Sequence, residues 1–144
     1  MWWIVAAVVL GGTASAMQAP INAALARELG GTIPAVVVSF GVGFLVLLVV
    51  ALVQGHGAAF LKLPQVPVWM LFGGCLGAWF VLSSVWGVST LGVLTLAAAL
   101  ILGQMTAAMV IDATGALGVT AREITPTRIA AAGLGMAGLL LSRV

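Results

Sequence analysis

Long apolar runs, separated by short polar or glycine-rich stretches, dominate this chain. The first run extends from Trp2 to about Ala26 and ends at Arg27-Glu28, after which Gly30-Gly31 makes a turn. The second extends from about Thr32 to Gln54. Thr32 can cap it, and Pro34 is tolerated because first-turn N–H groups have no intrahelical partner. A loop from Gly55 to Val66 follows, holding His56, Lys62 and Pro64. No charge occurs from Pro67 to Ile111, and since one span takes about 20 residues this stretch accommodates two. It predicts a third helix from Pro67 to Val85 and a fourth from about Leu91 to Ile111, with Ser89, Thr90 and Gly92 in a tight turn. In the polar segment from Asp112 to Arg128, Thr120-Ala121-Arg122-Glu123 has capping-box spacing and predicts a short helix. Thr125-Pro126 reads as a cap followed by a first-position proline. A fifth helix, from about Thr127 to Ser142, is short for a full span and either tilts little or relies on flanking arginines reaching the interface.

Composition turns these helices into membrane spans. Of the 144 residues, 63% are apolar and only 6% charged, too few polar groups to cover a soluble domain. Mean hydropathy is +1.30. The expected fold is an all-α polytopic membrane bundle, a single domain of five transmembrane helices (about 2–26, 32–54, 67–85, 91–111 and 127–142). Ala14-Ser15-Ala16 looks like a signal-peptide cleavage site, but no Lys or Arg precedes the apolar run and its character continues through Ile21 and Leu25. The first run therefore reads as a retained span with Trp2 and Trp3 at the interface.

Charge excludes other classes. A net charge of +2 with no basic cluster gives no footing for nucleic acid. One His and one Cys cannot make a zinc site, and no phosphate-binding glycine loop or nucleophile–base pairing occurs, so neither an enzyme nor a cofactor is expected. Cys75 reads as a packing residue and His56 as a solvated loop residue.

Small residues recur at four-residue spacing, at Gly73 and Gly77, at Ala99, Gly103 and Ala107, and at Ala131 and Gly135. Such stripes let helix backbones approach closely in lipid. With five spans, Lys62, Arg122 and Arg128 fall on one side and Arg27 and Arg143 on the other, three against two. That difference is too small for the positive-inside rule to impose one orientation. Either the charges happen to balance and a partner or the first helix decides, or the chain inserts both ways and pairs antiparallel.

Gln18 and Asn22 lie four apart, on one face of the first helix, with Pro20 between them. Pro20 removes a backbone hydrogen bond and frees the carbonyl of Ala16, which predicts a bend. Amides and a freed carbonyl are costly facing lipid, so this face should point inward. It either lines a substrate path or bonds a neighbouring helix as glue. Gln104 on the fourth helix would complete a neutral polar site. Ser39, Ser83, Ser84 and Thr95 offer hydroxyls, although membrane-helix Ser and Thr usually satisfy their own backbone. Trp79 lies deep enough to line an aromatic pocket, with core packing as its plainer role, whereas Trp86 fits an interface anchor. Pro20 and Asp112 are the candidates for gating or coupling. Asp112 sits at a helix end, where a charge is far cheaper than at the bilayer centre, and can pair with Arg122 or Arg128 or cap the turn before Gly115.

Two segments resemble the YdcZ-like family of the drug/metabolite transporter superfamily. One is Gly11-Gly12 through Gln18-Ala19-Pro20-Ile21-Asn22-Ala23, continuing to Ala35 and Val38-Ser39-Phe40-Gly41-Val42-Gly43. The other is Gly103-Gln104, Ile111-Asp112, Gly115 and Pro126-Thr127-Arg128. The likeness covers essentially the whole chain and is weakest from Gly55 to Val68. It implies a five-helix unit occurring as single genes, paired genes or fused chains, with kinship to the small multidrug resistance transporters, which act as antiparallel dimers. Those carry a membrane-embedded glutamate in the first helix, whereas the run from Trp2 to Ala26 carries none.

The expected function is a drug/metabolite-type transporter of the bacterial inner membrane, a dual-topology antiparallel homodimer moving a small organic molecule by alternating access. Without a central carboxylate, neutral or zwitterionic substrates fit best, or aromatic ones if Trp79 faces inward. Facilitated diffusion and proton antiport are equally compatible with that. A non-transporting scaffold or accessory subunit, using Gln18 and Asn22 only as glue, is the alternative from another class, and one half of a heteromeric pair is a third.

Overall fold

A computed structural model describes residues 2–143. Four α-helices account for most of them: α1 (Trp2–Glu28), α2 (Thr32–Val53), α3 (Phe72–Thr114) and α4 (Pro126–Leu141). The chain divides into two units, Met1–Thr90 and Leu91–Val144, and α3 contributes to both. Three helical stretches, Trp2–Glu28, Thr32–Val53 and Val68–Thr114, are long and apolar enough to cross a membrane, and α4 is a shorter apolar helix.

In the first unit, α1 has 27 residues and α2 has 22, so at 1.5 Å per residue they measure about 40 and 33 Å, enough to cross a hydrocarbon core of about 30 Å. Gly30, at φ 71°, ends α1 in the left-handed region, and the Gly31 N–H donates to the Ala26 carbonyl at 2.9 Å. This is a Schellman closure, which needs glycine at the left-handed position. It places Gly31 in extended backbone as the N-cap of α2, so Thr32, expected there, becomes the first helical residue and makes no side-chain cap bond. Beyond α2 the expected loop is wound into a 3-10 helix over His56–Gln65, and a second 3-10 turn, Val68–Leu71, replaces the predicted start of the third helix at Pro67. Proline at 64 and 67 denies this stretch the continuous N–H ladder an α-helix needs.

The core of this unit is small. Ala23, Val36, Val81 and Val85 form its buried cluster, with Ala26, Phe80, Leu82 and Val88 packed around it. Ala19, Ala23 and Ala26 repeat at helical spacing, so α1 presents a nearly flat strip and lets its neighbours approach closely. Gly77 faces the Phe40 ring in the same way. Most large apolar side chains point outward, including Val8, Leu10, Leu47 and Leu76. That is the reverse of a soluble fold, and it is what a bilayer solvates.

α3 has 43 residues, and within it only Gly92 leaves helical geometry, at φ 76° and ψ 168°. The predicted separation of two helices is therefore present, but the expected turn contracts to one residue. Ser89 and Thr90 stay helical, with the Ser89 hydroxyl donating to the Trp86 carbonyl at 3.0 Å.

In the second unit, residues 93–114 and α4 run antiparallel. Near one end the Thr95 hydroxyl donates to the Ser142 carbonyl at 2.9 Å. Near the other, Arg128 Nη2 lies 2.9 Å from Asp112 Oδ2, and between them Gly135 faces the Met105 sulfur. The Arg122 N–H donates to the Asp112 carbonyl at 2.7 Å, which ties down the connecting segment. Residues 119–125 are irregular, so the short helix expected from Thr120–Glu123 does not form. Thr125 is indeed the N-cap of α4 with Pro126 in its first turn, but its hydroxyl bonds the Thr127 hydroxyl at 2.8 Å rather than a backbone N–H.

Candidate functional site

The middle of α1 carries the most unusual chemistry in the first unit. Asn22 is 3% exposed, and its Nδ2 has no hydrogen-bond partner. An unpartnered buried amide donor costs about 1–3 kcal/mol. Gln18, one turn earlier, is half-buried on the same side and makes no side-chain hydrogen bond within the described residues. Pro20 between them points outward, its ring in place of the N–H that the Ala16 carbonyl would otherwise accept from. Ser39 of α2 is half-buried.

The other hydroxyls are committed. Ser83 and Ser84 both donate to the Phe80 carbonyl, at 3.0 and 2.6 Å, and Thr95 holds α4 as described. This is the usual self-satisfaction of hydroxyls in membrane helices. Trp79 is 63% exposed, so core packing within the protomer, its plainer predicted role, is excluded. Its ring meets Trp86 edge-to-face, with centroids 6.1 Å apart and planes at 83°. Gln104 lies on the exposed side of residues 93–114. Of the partners open to Asp112, the side chain takes Arg128, while Arg122 is held through backbone alone.

One feature escaped the sequence reading. Arg27, Thr32, Trp86 and Ser89 surround an open cleft of about 500 Å³, floored by Ala23 and Val85. Each of the four had a separate explanation, as span end, cap, anchor and turn. Only the glycine pair at 30 and 31 signalled that the backbone here leaves room. Among the described residues no three His, Cys, Asp or Glu side chains gather as a metal site would require.

Over residues 2–141 the chain matches the family described as "Putative inner membrane exporter, YdcZ". The chain belongs to the YdcZ family. No curated protein and no solved structure matches it. Membership supports a membrane transporter, in keeping with its apolar helices.

Proposed function

We propose that this YdcZ protein exports a small neutral or zwitterionic organic solute, with Asn22 and Gln18 of α1 lining the path and Ser39 beside it. The carrying observation is the free Nδ2 of Asn22, buried to 3% exposure on a helix long and apolar enough to cross a bilayer. An amide acting as glue within the protomer would have found its acceptor in the folded chain. The working unit is an antiparallel homodimer of five-span protomers inserted in both orientations, which the near balance of basic residues, three against two, permits. Alternating access then follows from exchanging two equivalent arrangements about a two-fold axis in the membrane plane. Gln104, exposed on its own helix, is available to the partner protomer. Neither Gln18 nor Asn22 titrates, so the amides themselves move no proton.

The test uses everted vesicles supplied with a panel of neutral and zwitterionic metabolites, with uptake read by mass spectrometry. Asn22→Ala and Gln18→Ala should abolish or sharply reduce uptake while elution and helix content stay as in the parent. Loss of the folded protein on Asn22→Ala, with Gln18→Ala transporting normally, would assign these amides to assembly and favour a scaffold.

A further inference from the structure

The cleft beside the α1–α2 turn has features that a path for neutral solutes leaves unused. Arg27 emerges at the end of a helix about 40 Å long, which puts its guanidinium at the depth of headgroups rather than acyl chains. Among the described residues no carboxylate lies within ion-pair distance of it, and the one ion pair there joins Arg128 to Asp112. The Thr32 hydroxyl, also at the cleft, makes no hydrogen bond within the described residues, whereas the Ser89 hydroxyl is spent on the Trp86 carbonyl. Trp86 forms a wall, its ring held by the edge-to-face contact with Trp79, and tryptophan favours this depth of the membrane. The cleft volume of about 500 Å³ falls within the range of small-molecule sites.

We propose that this cleft binds a phosphate group, gripped by Arg27 and Thr32, with the carbon skeleton of the same molecule lying against Trp86. A guanidinium offers paired N–H donors that match phosphate oxygens, and one without a protein carboxylate is free to do so. The phosphate arrives either on a phospholipid headgroup from the surrounding leaflet or on a soluble phosphate ester from the aqueous side. The site is independent of the transport reading, because it rests on neither Asn22 nor Gln18.

The experiment is a binding titration on the full-length protein in detergent, followed by tryptophan fluorescence. The probes are dihexanoylphosphatidylglycerol, inorganic phosphate and dihexanoylglycerol, which has the same tails and no phosphate. Saturable binding of the phosphatidylglycerol alone identifies a lipid headgroup, whereas saturable binding of inorganic phosphate identifies a soluble ligand. In either case Arg27→Gln should weaken binding roughly tenfold or more, the loss expected for hydrogen bonds to a charged group. Arg143→Gln should leave it unchanged, and Thr32→Val, which keeps every charge, should weaken it by a smaller factor. Equal binding of dihexanoylglycerol, no saturable binding of any probe, or parental affinity in a folded Arg27→Gln protein would each overturn the proposal.

Discussion

Replacing Gly92 with alanine isolates the conformational strain at the break in α3. At φ 76° and ψ 168°, Gly92 occupies a backbone region that is essentially closed to residues with a Cβ. A Cβ built there meets no atom within 4 Å, so the cost carries no packing component. That conformational cost is about 1–3 kcal/mol. Gly43 in α2 supplies the control, since it too has open space around a built Cβ but a helical backbone. Gly43→Ala should gain about 0.5–1 kcal/mol from helix propensity. The two variants should therefore differ by about 1.5–4 kcal/mol, in opposite directions from the parent. Nor can the strained variant recover by closing the helix: 43 uninterrupted residues would be about 65 Å long, twice the hydrocarbon core. The assay is equilibrium denaturation in mixed micelles, followed by circular dichroism. If Gly92→Ala and Gly43→Ala shifted stability alike, the left-handed break would not lie at Gly92.

Three further outcomes are expected. Asp112→Ala, which leaves the half-buried Arg128 unpaired, should cost about 1–2 kcal/mol, between the exposed and buried limits for ion pairs, in the same denaturation assay; no change would mean the pair does not hold α4. Thr95→Val keeps the shape but removes the donor to the Ser142 carbonyl, so it should cost about 1 kcal/mol and increase hydrogen exchange at the end of α4; unchanged exchange would contradict the bond. In a Cys75→Ala background, needed because Cys75 is itself exposed, single cysteines in the Gly55–Val66 segment and after α4 should each label in about half of the molecules with a membrane-impermeant thiol reagent; labelling at one site only would establish a fixed orientation and refute dual insertion.

Helices whose ends are set by backbone chemistry were legible in the sequence. Gly30 declares the end of α1 because only glycine readily closes a Schellman turn, and Thr125-Pro126 declares the start of α4 because proline fits a first turn. Boundaries decided by tertiary packing were not. Nothing local separates Val85 from Leu91, and the helix continues through both because Val81, Ser84, Val85 and Val88 share one face turned to the core. Capping-box spacing at Thr120–Glu123 failed for the same kind of reason. The segment is instead tied back to the preceding helix by the Arg122 N–H, which donates to the Asp112 carbonyl, and residues 119–125 stay irregular. Of the candidate site, burial of Asn22 was readable, since Gln18 and Asn22 lie four apart on one face and amides are costly facing lipid. The absence of an acceptor for Asn22 was not readable, because it depends on which atoms of α2 and α3 arrive opposite.

That missing acceptor bears on what the path can carry. A carboxylate in mid-membrane selects cations by charge and is neutralised by a proton when empty, so binding and protonation compete for one group. An amide does neither: it recognises by hydrogen bonding, and it stays neutral with or without solute. A site built on Asn22 and Gln18 therefore favours solutes that accept hydrogen bonds and carry no net charge, since nothing on α1 between Trp2 and Arg27 would offset a buried charge. Exchange of the empty site between the two faces also requires no protonation, so in the simplest cycle the solute gradient alone drives transport. A pH gradient imposed on the vesicles should then leave initial uptake unchanged, whereas accumulation driven by that gradient would require a titrating group outside the α1 path. Asp112 is the residue to replace next in that case, because it is the carboxylate that pairs with Arg128 between the helical residues 93–114 and α4.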